Sequence, residues 1–81
     1  MKRWPQRGKV FAVKIDAGHD TNGNPRRGWL IYDNIGSYWG FVDEGYEGRE
    51  ALRQCCPKAV ELGTIPTTPG TYREAKKDRI I

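Results

Sequence analysis

The sequence predicts an α+β domain: a three- to four-stranded antiparallel meander sheet with two short helices packed on one face. Three observations carry this. Lys9 to Asp16 alternates with period two, which is the repeat of a strand rather than of a helix. Asn22-Gly23 sits in a run dense in turn formers between two apolar stretches, the signal of a tight hairpin. Further on, Arg49 to Cys56 lacks β-branched residues and keeps a helical spacing, and Thr68-Pro69 reads as the start of a second helix.

Taken in order, the first strand places Phe11, Val13 and Ile15 on one face and Val10, Ala12 and Lys14 on the other. Asp20-Thr21-Asn22-Gly23-Asn24-Pro25 then reverses the chain. The second strand is Gly28 to Asp33, and Asn34 to Ser37 makes the next turn. Tyr38 to Asp43 is the third strand. Ala51, Leu52, Cys55 and Cys56 line one side of the first helix, which Pro57 ends because proline disfavours helix at the residue before it. Lys58 to Leu62 reads as a short turn. Thr64 to Thr67 is extended and fits an edge strand, where Pro66 is tolerated. In the last helix Tyr72, Ala75 and Arg79 share a face, and Lys76, Lys77 and Arg79 place cations where the helix dipole favours them. The order is β-β-β-α-(β)-α.

The chain has 81 residues and 37% apolar side chains, with three Trp, four Tyr and two Phe. That is one small domain spanning 1–81, with residues 1–8 expected to form a flexible basic arm. No apolar run approaches the length of a membrane span, so no membrane association is expected. The basic start is followed by no apolar leader segment. The net charge is +4, and it is unevenly spread. Residues 1–9 carry +4, residues 10–47 carry −3 and residues 48–81 carry +3. Cys55 and Cys56 are the only cysteines, and adjacent residues close no useful loop. Reduced thiols and a cytoplasmic location follow as expectations. Packing of at least one thiol on the apolar helix face is favoured over a metal or redox role, since His19 is the only histidine and lies far upstream.

Motifs of catalysis are missing: there is no phosphate-binding glycine loop, no zinc-binding helix and no nucleophile elbow. His19-Asp20 is the one acid–base pair in view, and a single loop histidine is a weak basis for an enzyme. The Asp20 loop resembles a calcium loop only on the surface. The position that needs glycine is Pro25, and the position that needs glutamate is Ile31. Asp43, Glu44 and Glu47 cluster at a strand end, but Glu47 and Glu50 equally suit the start of a helix. No enzyme, cofactor or metal is expected.

Ser37-Tyr38-Trp39-Gly40-Phe41-Val42-Asp43-Glu44 is the most informative stretch. Its centre, Trp39-Gly40-Phe41-Val42, resembles the aromatic strand of RNA-recognition-motif domains, and Lys9 to Val13 is close to the companion strand. Ser37, Tyr38 and Glu44 depart from that pattern. The family also needs a helix where Asp16 to Gly28 offers turn residues, so the family is not assigned. A physical point survives. The second and third strands are apolar on both faces, and two short helices on one face would leave an aromatic face bare. The expected function is therefore a non-enzymatic interaction module that binds a protein partner or self-associates as a homo-oligomer. Its candidate residues are Tyr32, Tyr38, Trp39 and Phe41, with Arg26 and Arg27. The alternative is a single-stranded nucleic-acid binder, in which Trp39 and Phe41 share a face and stack on bases while Arg26, Arg27 and the Lys2-Arg3-Arg7-Lys9 arm track phosphate. The acidic middle of the chain favours protein over nucleic acid.

Overall fold

A computed structural model describes residues 9–45 and 48–80. Within them the order is β1 (Phe11–His19), β2 (Pro25–Tyr32), β3 (Tyr38–Asp43), α1 (Arg49–Cys55), β4 (Val60–Pro66) and α2 (Pro69–Lys76). The basic segment 1–8 and Glu47 lie outside the described residues. The class is α+β, as the sequence predicts.

The β1–β2 hairpin turns where Asn22-Gly23 places it. The Gly23 amide donates to the Asp20 carbonyl at 3.0 Å, and Gly23 has a φ of 82° that a side chain would disfavour. The Asp20 carboxylate accepts the amides of Asn22 and Asn24, both at 2.9 Å, so it serves the turn. Thr68 caps α2 by accepting the Thr71 amide, with proline following at the first helical position.

The sheet is mixed, which corrects the expected all-antiparallel meander. Its order is β3-β2-β1-β4, with β1–β2 and β2–β3 antiparallel and β4 parallel to β1. The cause is the connection: α1 carries the chain back across the sheet, so β4 enters beside Phe11 and runs with β1. Lys58 to Leu62, expected as a turn, therefore already belongs in part to β4. Arg79, expected on α2, lies past its end. There the Phe41 amide donates to the Asp78 carbonyl and the Ile80 amide to the Phe41 carbonyl, covering the outer edge of β3.

The helices also pack on opposite faces, not on one. Ala51 and Leu52 of α1 join Ala12, Trp29, Ile31 and Val42. Tyr72 and Ala75 of α2 join Ile15 and Phe41 on the other side. Burying a Trp or Phe contributes about 1.5–3 kcal/mol, so each face gains its own aromatic anchor, Trp29 or Phe41. The Trp29 indole N–H is buried without a hydrogen-bond partner among the described residues. Beyond α1, the first face turns polar. Buried Glu44 accepts Lys14 Nζ at 3.0 Å and Arg27 Nε at 2.8 Å, and Lys14 lies over the Trp29 ring.

Candidate functional site

An α-helix of eight residues is about 12 Å long, whereas a nine-residue strand runs about 30 Å. Helix α2 therefore cannot cover its whole face of the sheet. It sits over the end marked by Ile15 and Phe41. The other end is left as a broad, open apolar depression of about 520 Å³, lined by Phe11, Val13, Leu30 and Tyr32, with Leu62 and Ile65 of β4. Leu62 is 60% exposed and Ile65 51%. Among the described residues, Asp33 is the charged one at its rim, and neither lysine nor arginine lines it.

Local backbone decides which side chains reach this surface. Phe11, Val13, Leu30 and Tyr32 follow from simple alternation in β1 and β2. Leu62 and Ile65 are an odd number of positions apart and still share the face. The register of β4 against β1 shifts between Ala12 and Lys14, and Gly63 takes a φ of 125° there. One extra residue in a strand inverts the side on which the following residues point.

The same effect separates the aromatic pair of β3. Ile31 faces Gly40 whereas Tyr32 faces Tyr38, so Trp39 and Gly40 span a bulge. Trp39 and Phe41 consequently do not share a face, which corrects the expectation from alternation. Trp39 packs against the α1 side and donates its indole N–H to Asp33 Oδ2 at 2.9 Å. Phe41 is wholly buried, its ring edge-on to Tyr72 with centroids 5.9 Å apart.

The remaining candidates divide in the same way. Tyr32 lines the open depression, and its ring meets that of Tyr38 with centroids 5.5 Å apart. Tyr38 is 39% exposed. Partial burial, with the Asp78 carboxylate beside it, pushes its hydroxyl up to about 12. Arg26 donates to the carbonyls of Ala17 and His19, and Arg27 is tied to Glu44. Of the six sequence-derived residues, only Tyr32 lines the open surface, and Tyr38 stands beside it through their ring contact. Phe11, Val13, Leu30, Leu62 and Ile65 had no place in that set. Strand periodicity already puts Phe11 and Val13 on one face, but nothing local marks that face as uncovered.

A second, polar recess of about 230 Å³ lies between the hairpin tip and α2, lined by Asp20, Arg26, Asp43, Tyr72 and Lys76 among others. Its groups are engaged with one another. Tyr72 donates its hydroxyl to Asp43 Oδ1 at 2.7 Å, and Lys76 stands 3.9 Å from Asp43 Oδ2. Burial, followed by this bond to Asp43, raises the Tyr72 hydroxyl well above its ordinary value. His19 is exposed, and Asp20 is occupied by its own turn. No cluster of three or more His, Cys, Asp or Glu able to hold a metal occurs among the described residues.

Asp33 holds the rim of the open surface together. Its Oδ1 accepts the amides of Ser37 at 2.8 Å and Ile35 at 3.0 Å, while Oδ2 accepts Trp39. The Trp39 indole chiefly, helped by the turn amides, keeps this carboxyl below its ordinary 3.8. A depressed carboxyl pKa stabilises the fold above the unfolded value, and that contribution is lost as pH falls through the folded one. Acidification below pH 3.8 should therefore move the Trp39 indole proton resonance in the native protein. Asp33→Asn should abolish that acid-dependent movement. An unchanged titration in the variant would disconnect Asp33 from the rim.

Fold and site together define a small α+β domain with a two-faced sheet, one face half open. No protein-family model, curated protein or solved structure matches the chain. Among the described residues, no helix is long and apolar enough to cross a membrane.

Proposed function

We propose that this chain is a non-enzymatic interaction module that docks protein through the open half of its sheet, with a second copy of itself as the occupant. The observation that carries the reading is the contiguous apolar half-face left bare by α2, with Phe11, Val13, Leu30, Tyr32, Leu62 and Ile65 at its surface. Large exposed apolar patches mark interfaces. The depression is broad and open, unlike the enclosed cavity that holds a small molecule. Among the described residues its lining carries no cation to track phosphate, and Asp33 would repel a polyanion. Base stacking by Trp39 and Phe41 draws no support from an arrangement that sends the two rings to opposite faces.

The second copy is favoured by β4. It is the last strand of the sheet, all seven of its residues are exposed, and its outer edge pairs with no strand among the described residues. Two such edges can pair antiparallel about a twofold axis, which extends the sheet and packs the exposed Leu62 and Ile65 of each copy against those of the other, so that the β4 side of the open half-face is covered at the seam. Pro66, which lacks an amide hydrogen, ends the pairable edge.

Light scattering across a concentration series tests this. The mass should rise from 9.3 kDa towards twice that value, and Leu62→Asp should hold the chain as a monomer. Lys77→Ala, just past α2 at the β3 end of the sheet and so at the opposite edge from β4, should leave the mass curve unchanged. A monomer at every concentration that also binds an apolar dye would move the reading to a different protein partner. A monomer that binds no dye would remove it.

A further inference from the structure

The interaction reading makes no use of Cys55 and Cys56, whose sulfurs stand 3.4 Å apart. Adjacent residues on a helix diverge by about 100° and do not face each other. Here they converge because the helix ends between them. Cys55 is the last residue of α1, while Cys56 has left the helix with φ −138° and ψ 75°. Pro57 enforces this, since helical backbone at the preceding residue would clash with its ring. Cys56 is fixed on one side by packing with Leu52, Ala51 and Trp29. Cys55 is only half-buried and gives access to solvent.

We infer that Cys55 and Cys56 form a bidentate site for a single thiophilic, trivalent metalloid centre of the arsenite class. Geometry selects that class. With bonds of about 2.3 Å, as zinc makes to thiolate, sulfurs at this separation subtend about 95° at the bound centre. A pyramidal centre accepts such an angle. A tetrahedral ion would want the sulfurs wider apart, and a linear two-coordinate ion wider still. The described residues supply no further cluster of ligands to complete a tetrahedron. A trivalent metalloid needs none, because it keeps a third substituent of its own. The order of attack is also built in. The Cys56 thiol donates its hydrogen to Cys55 Sγ, so Cys55 is the readier thiolate and Cys56 the held proton donor.

With phenylarsine oxide as the probe, two arsenic–sulfur bonds form while two S–H bonds and the arsenic–oxygen double bond break. One water leaves, and arsenic stays trivalent throughout. Titration of the reduced 81-residue chain should show one arsenical bound per chain, with both thiols lost together to a thiol-specific reagent. A dithiol competitor should restore both. Cys55→Ser, at the half-exposed position, should weaken binding at least about tenfold with an unchanged far-ultraviolet circular dichroism spectrum. The native chain unfolded in urea should also bind at least about tenfold more weakly, because the convergence of the thiols belongs to the fold. Equal affinity in the folded and unfolded chain would overturn the inference. So would independent titration of the two thiols in the presence of the arsenical.

Discussion

Gly28→Ala is expected to lower the unfolding free energy by about 1–3 kcal/mol, the usual range for overpacking a tight core. A methyl group there would lie 2.2 Å from Phe41 Cζ and 2.5 Å from the Val42 carbonyl oxygen. The ring alone could be moved aside, but the carbonyl belongs to the β2–β3 ladder and cannot yield without disturbing the pairing of Gly28 with Asp43. Each kilocalorie should lower the midpoint of thermal unfolding by about 4–8 °C in a domain of this size. Urea melts monitored by tryptophan fluorescence would measure the loss. A variant as stable as the native chain would mean that Phe41 does not lie over Gly28. Because Phe41 and α2 pack together, the same substitution should also loosen α2 and enlarge the open apolar half-face.

Glu44→Gln should produce the next largest effect. Glu44 is 7% exposed and bridges two cations at hydrogen-bond distance. Breaking a fully buried pair costs about 3–5 kcal/mol. Lys14 and Arg27 keep 23% and 31% of their side-chain surface exposed, so they retain part of their hydration and the expected loss is about 1–3 kcal/mol. Lys14 also holds its position over the Trp29 ring at 5.2 Å, so the Trp29 emission should shift in the variant. Glu50→Gln is the matched control. Its pair with Arg53 is exposed on both sides, and the change should stay within about 0.5 kcal/mol. Equal losses in the two variants would show that burial at Glu44 contributes nothing.

The features of this fold that are legible in the sequence are those decided by short-range chemistry. Period-two alternation marks β1, Asn22-Gly23 marks the hairpin, and Pro57 marks the end of α1. Thr68-Pro69 marks the start of α2. What is legible in outline is that β2 and β3 are apolar on both sides; which residues stay uncovered is not. Alternation puts Trp39 beside Phe41 and Leu62 apart from Ile65, and a single inserted residue reverses both relations. In each bulge a glycine absorbs the distortion, Gly40 with a φ of 150° and Gly63 with 125°. Glycine inside a strand is a signal of a bulge, and at both positions it stood in plain view.

What the sequence determined by itself is the class, the order of elements and the turn and cap residues, since each depends on backbone preferences within a few positions. Only the tertiary structure decided that β4 runs parallel to β1, that the helices take opposite faces and that Glu44 is buried between two cations. An edge strand such as Val60–Pro66 carries no local mark of its partner. Its place follows from where α1 crosses the sheet, and that crossing depends on which face offers Leu52 and Ala51 the larger apolar surface. Trp29, Ile31 and Val42 offer it on one side, leaving Phe41 and Ile15 for α2 on the other. The half-open face is what remains when a helix of eight residues is laid over a sheet whose longest strand is more than twice its length.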